Sequence, residues 1–269
     1  MTALWGLHGS ADGSWGNAIL PIEQEFVKRG RMKAYKMLSW ESAASAKWLT
    51  EHGVDLLMVR IMLQGEQLAS PAAAWAASRE EVYAHYAAGV RLFEIHNEPN
   101  LSIEGGCGSR WTGGAGFARW LSGMAILIKA ELPDALLGWP GLSPGGAIEG
   151  FREPWRQFLI DAANVGALSS VDWIGCHCYW TTPAGMWQPN DGAHWKEYTR
   201  FGKAIYITEF SNPVEGVDKN DKARQYVAYV AALDPAVRAA FSFVSSASGG
   251  QFPHEVWDNQ MADIVGQRP

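Results

Sequence analysis

Charge is sparse in this 269-residue chain: 19% of its residues are charged, no lysine or arginine cluster occurs, and the formal net charge is −6. Those absences exclude a basic surface for nucleic acid or an anionic membrane and leave a neutral or cationic partner. Cysteine is scarce too, and Cys107, Cys176 and Cys178 give no even disulfide framework. No apolar run is long enough for a transmembrane helix. Met1 passes into the strand-like Ala3-Leu4-Trp5-Gly6-Leu7 with no basic segment, long apolar core or cleavage site. That is expected of a cytoplasmic chain, or of a secreted one whose leader has been removed. No repeat, low-complexity tract or extended linker is present, so one domain spanning 1–269 is expected. Oligomeric state is not legible.

What the sequence does contain is an alternation of strand-like and helix-like segments, the pattern of an α/β protein with a parallel sheet. Strands are predicted over Ala3 to His8, Lys33 to Leu38, Asp55 to Met62, Leu92 to Asn97, Ala135 to Trp139, Val171 to Tyr179, Ala204 to Glu209 and Ala240 to Ser245. Between them, Ile19, Ile22 and Phe26 recur at helical spacing, and Ser70-Pro71 reads as an N-cap with proline at the first helical position. Apolar stripes follow at Phe117 to Ile128, Trp155 to Ala162 and Tyr226 to Val230, the last after a cap at Asp218. Eight such units in this length predict a (β/α)8 TIM barrel as a single domain. A doubly wound sheet is the alternative, but no Gly-x-Gly-x-x-Gly turn follows the first strand.

Two of the strands end in a glutamate. Phe93-Glu94-Ile95-His96-Asn97-Glu98-Pro99 is an apolar run closed by an amide, an acid and a proline, and Ala204 to Phe210 repeats the layout around Glu209. Strands four and seven lie across an eight-stranded ring, so the two carboxyls can face each other at its mouth, where barrel enzymes keep their chemistry. One acid to protonate a leaving oxygen and one to attack a sugar carbon is what glycosidic cleavage requires. Each glutamate alone is better explained by an arginine or lysine partner or by capping of the following helix; the pair, with its neighbours, reverses that. In strand six, alternation sends His177 and Tyr179 to one face and Cys176 and Cys178 to the other, which disfavours a metal site built from adjacent residues.

Asn97-Glu98-Pro99 and Thr208-Glu209-Phe210, in this order and on these strands, resemble the clan A glycoside hydrolases, which are (β/α)8-barrel retaining enzymes. The resemblance implies that Glu98 is the general acid/base, Glu209 the nucleophile, and Asn97 the residue that binds the sugar 2-hydroxyl. It further implies that Tyr179 holds the nucleophile and His177 touches the substrate. No metal or organic cofactor is then needed, and the expected partner is a neutral β-linked carbohydrate.

Arg60, a charge inside the apolar Met58 to Met62 run, must be paired if buried, with Glu209 or Glu94 as partners or in an unrelated ion pair. His8, His96 and Glu94 are read as a polar layer beneath the catalytic pair. Of the tryptophans in or beside the active-face loops (Trp111, Trp180, Trp187, Trp195 and Trp257), Trp180 is the best stacking candidate. Strand eight, Phe241-Ser242-Phe243-Val244-Ser245-Ser246, lacks the tryptophan that floors the reacting sugar's subsite in many clan members, and Trp257 is the nearest replacement. The long loops favour endo action on an oligo- or polysaccharide. The rival functions are a non-hydrolytic carbohydrate-binding barrel, a transglycosylase using the same glutamates, and a metal-dependent hydrolase built on His8, His96 and His177.

Overall fold

A computed structural model describes residues 2–11 and 18–268. Eight strands, β1 (Leu4–His8), β2 (Ala34–Leu38), β3 (Leu56–Ile61), β4 (Leu92–Ile95), β5 (Leu136–Trp139), β6 (Trp173–Tyr179), β7 (Ala204–Ser211) and β8 (Val237–Ser242), close into a barrel in sequence order. Every neighbouring pair is parallel. The helices are α1 (Pro21–Arg29), α2 (Ala44–Glu51), α3 (Pro71–Ala87), α4 (Gly113–Glu131), α5 (Trp155–Asn164), α6 (Lys219–Ala231) and α7 (Asn259–Gly266). A 3-10 segment, His194–Phe201, occupies the place of a helix between β6 and β7. Among the described residues no helix is long and apolar enough to cross a membrane.

Local chemistry sets these elements where expected. The Ser70 hydroxyl accepts from the Ala73 amide ahead of Pro71, and Asp218 accepts from the Asn220 amide, so both predicted caps are made. Two expectations fail. Ile22 is 44% exposed, because α1 turns Phe26 and Val27 inward, while Ile19 is buried ahead of the helix. β8 begins and ends three residues earlier than predicted; its pairing with β7 shifts register at two places, which the apolar composition of Phe241 to Val244 does not reveal.

Period-two alternation builds the interior in layers. Ala34, Met58, Leu92, Trp173, Tyr206, Ala239 and Phe241 form a separate apolar cluster inside the barrel. Two residues further along β2, β3 and β4 come Lys36, Arg60 and Glu94, so a charged layer rests on the apolar one. In β7 the same alternation, counted from Tyr206, would turn Glu209 away from the axis. A bulge corrects this: Cys176 pairs with Ile207 and His177 with Glu209, leaving Thr208 as the extra residue.

Candidate active site

The C-terminal ends of the strands open into a cleft of about 500 Å³ whose walls include His8, Trp40, Arg60, Asn97, Glu98, Glu104, Tyr179, Glu209, Phe243 and Glu255. Glu98 follows β4 in a left-handed backbone conformation, with φ of 33°, and its amide is anchored to the Gly141 carbonyl at 3.1 Å. This turn lifts its carboxyl into the cleft, where the side chain is 18% exposed. Glu209 lies deeper, 5% exposed.

Glu209 is held from both sides. Arg60 donates to Oε1 at 2.6 Å and the Tyr179 hydroxyl donates to Oε2 at 2.6 Å. Lys36 Nζ stands 3.7 Å from Oε1. Burial raises the Glu209 pKa, but electrostatic interactions with His177, Arg60, Lys36 and His8 outweigh it and hold the carboxyl well below its ordinary range. Of these partners Arg60 is the one that does not titrate. Arg60 also donates to Glu94 at 2.7 Å, and Lys36 contacts the same carboxylate at 3.0 Å. Both partners weighed for Arg60 are therefore taken at once. Lys36 completes the four-charge cluster and was not anticipated, although a lysine inside Ala34-Tyr35-Lys36-Met37-Leu38 is the same signal as Arg60 in β3. Burial lowers its pKa to about 8, with Arg60 adding to the effect and Glu94 and Glu209 opposing it, so it carries its charge at neutral pH.

His177 joins the two acids. Its Nδ1 lies 2.8 Å from Glu98 Oε1, and its Nε2 lies 3.0 Å from Arg60 Nη2. A guanidinium has only donors, so Nε2 of the neutral ring accepts and the proton sits on Nδ1, facing Glu98. Gly141 makes room for this ring: a Cβ there would fall 2.0 Å from His177 Cδ2. Glu98, His177 and Glu209 offer one ligand atom each within 4.8 Å of one another, a spacing a metal ion could use. Here, however, both ring nitrogens are engaged, and a cation would sit against Arg60.

Other predicted residues are placed unevenly. Asn97 lines the cleft and donates from Nδ2 to Glu104 Oε1 at 3.2 Å. His8 lines it below Glu209, its Nδ1 donating to the Gly9 carbonyl and its Nε2 3.7 Å from Glu209 Oε1. His96 does not belong to the cleft. β4 ends at Ile95, and a φ of 74° at His96 swings the ring outward among Trp111, Phe117 and Trp120, where Nε2 donates to the Glu104 carbonyl. The three histidines of the metal rival therefore do not converge. Trp180 is 1% exposed, stacked on Phe210 outside the barrel and hydrogen-bonded to Gln225; alternation from Tyr179 sends it outward. Trp257 is also buried, donating to Ser242 Oγ and packing on Phe26. The aromatic walls are instead Trp40, Phe243 and Phe252. Trp40 stood two residues past a predicted strand end, which was the available signal. Phe243, whose peptide bond to Val244 is cis, lines the cleft where Trp257 was expected.

Tyr179→Phe removes one of the two short hydrogen bonds to Glu209. A charge-assisted bond of this kind is worth about 1.5–3 kcal/mol, so any catalysis that runs through Glu209 is expected to fall about 10- to 100-fold in kcat/KM with folding intact. Steady-state kinetics beside a thermal melt checks it.

No family model matches the sequence, and no curated protein sequence does. The fold is similar to that of several solved structures. A GH128 (subgroup II) endo-β-1,3-glucanase from Pseudomonas viridiflava shares 14% identity at a TM-score of 0.65, over 100% of this chain and 98% of that one. The endoglucanase Cel5A from Pseudomonas stutzeri shares 12% at 0.63, over 98% and 93%. A GH128 (subgroup III) curdlan-specific exo-β-1,3-glucanase from Blastomyces gilchristii shares 13% at 0.56, over 94% and 97%. At these identities the likeness is one of fold, and it extends along the whole barrel.

Proposed function

We propose that the chain is a retaining glycoside hydrolase acting on β-linked oligo- or polysaccharide, with the barrel as its single catalytic domain. One observation carries the reading: a carboxylate oxygen of Glu98 and one of Glu209 approach within 4.8 Å. Retaining glycosidases hold their carboxyls roughly 5–5.5 Å apart, whereas inverting ones leave about 6.5–9.5 Å for a water. The likeness of fold to two β-1,3-glucanases and an endoglucanase supports the substrate class.

Glu209, ionised by Arg60 and Lys36 and oriented by Tyr179, attacks the anomeric carbon. Glu98 donates its proton to the leaving oxygen; with Oε1 engaged by His177, Oε2 is the oxygen left to transfer it. Glu98 then takes a proton from water, which releases the sugar from Glu209. Asn97 binds the 2-hydroxyl, and His8 and Arg60 support the nucleophile from below. A cleft open at the mouth and walled by Trp40, Phe243 and Phe252 suits internal cleavage of a chain.

A mechanism-based 2-deoxy-2-fluoro-β-glycoside should label Glu209, read by peptide mass spectrometry. Digests of β-glucans, mannans and xylans should yield internal fragments from at least one polymer. Sugar binding without label or cleavage would make the barrel a binding protein, labelled enzyme with transfer products a transglycosylase, and monosaccharides from chain ends an exo-enzyme.

A further inference from the structure

Glu255 lines the cleft, yet the reaction just described gives it no task. It belongs to the 246–256 loop that follows β8, and only 8% of its surface is exposed. Its backbone amide donates to the Phe252 carbonyl at 2.9 Å, and Phe252 packs edge-on against Phe243 at 4.9 Å, so its stretch of the loop is tied to the aromatic wall. Ser211 of β7, fully buried, donates to Oε1 at 2.7 Å. The nearby cation is not its partner: Lys222 Nζ is spent on the Val214 and His254 carbonyls. Among the described residues Glu255 makes no ion pair. An ionised carboxylate offers about four lone-pair sites, and leaving them short of donors in a buried place is costly. Burial, with the charge of Glu209 adding and Ser211 and Lys222 opposing, raises its pKa to about 7.

We propose that Glu255 is a substrate-binding residue: its carboxylate accepts hydrogen bonds from hydroxyls of the sugar that is seated on Phe243 and attacked by Glu209. This rests on the hydrolase reading and adds a selection rule to it. The cleft favours a sugar with a free hydroxyl at the position facing Glu255 and rejects its deoxy or O-methyl counterpart. An ether oxygen brings an acceptor to an acceptor, and a methylene leaves the carboxylate unsatisfied.

The test is a cycle between Glu255→Gln and a series of aryl β-glycosides of the cleaved sugar, each lacking one hydroxyl. In the unmodified protein, one deoxygenation away from the 2-position should cost about 10- to 100-fold in kcat/KM. Glu255→Gln, whose amide oxygen still accepts but without the charge, should lose part of that factor on the full substrate and feel that one deoxygenation correspondingly less. Equal loss on every substrate, or no loss, overturns the proposal while leaving the hydrolase reading intact. Glu255→Ala with Ser211→Ala, which removes the stranded hydroxyl as well, should reproduce the pattern if Glu255→Gln folds poorly. A protein that cleaves no glycoside and takes no label at Glu209 overturns both.

Discussion

Glycine in place of Glu209 is expected to lower kcat/KM on an aryl β-glycoside about 10⁴- to 10⁶-fold, the range seen when a covalent nucleophile is deleted. The decisive part is what added azide does. Removing the side chain opens a space beneath the anomeric carbon without touching Glu98, so a small anion can enter and attack from the same face. With a 2,4-dinitrophenyl leaving group, which departs without protonation, the product should be the α-glycosyl azide. A β-azide, or no rescue, would remove Glu209 from the nucleophile's role. Glu98→Ala should behave differently, retaining most of its first-step rate on that activated substrate while losing activity on unactivated glycans.

Arg60→Met should give the second-largest effect, and in stability as well as rate. The guanidinium contacts Glu94, Glu209 and His177 at 3.0 Å or less while only 3% exposed. Its removal leaves two buried carboxylates sharing one lysine. Breaking a buried pair from one side costs about 3–5 kcal/mol, which in a domain of this size lowers Tm by roughly 10 °C. Adding Glu94→Gln should restore part of it, because the stranded charge goes too; a purely additive double variant would show that the cluster is not coupled.

The pH dependence has a definite sign. For Glu94, burial raises the pKa, and Arg60, Lys36 and His177 more than reverse this, leaving it, like Glu209, depressed in the folded state. A depressed carboxylate stabilises the fold above the unfolded value, about 4.3, and that contribution is lost as pH falls toward the folded value. Urea unfolding of the unmodified protein should therefore weaken steeply below about pH 4. In Arg60→Met both pKa values move up toward the unfolded one, so the same slope should flatten.

The architecture was legible because eight apolar runs of strand length alternate with helical segments, and the two acids because each closes such a run. Less legible were features that depend on where alternation stops. Glu209 faces the axis only through the extra residue Thr208 in β7, and a bulge leaves no mark in a short apolar string. His96 was read as continuing the face of Glu94, but its backbone had already left the strand. Trp180 and Trp257 were chosen by loop position, whereas alternation alone would have turned Trp180 outward and pointed to Phe243 as the wall. Glu104 and Glu255, both in the cleft, lie between the regular elements, Glu104 at the end of a three-residue 3-10 turn, where no strand or α-helix period places a side chain.

The cluster of Lys36, Arg60, Glu94 and Glu209 is electrically balanced in the resting protein, two charges of each sign. In the proposed reaction, esterifying Glu209 with a sugar removes one negative charge, and with it one of the two carboxylates that hold the Lys36 pKa up. The covalent intermediate then carries an unmatched cation beneath the ester bond. As long as Lys36 keeps its proton, that field favours return of the electron pair to the carboxylate and so departure of the sugar. On the retaining reading, the arrangement that keeps Glu209 ionised thus also sets a limit on how long the sugar stays attached.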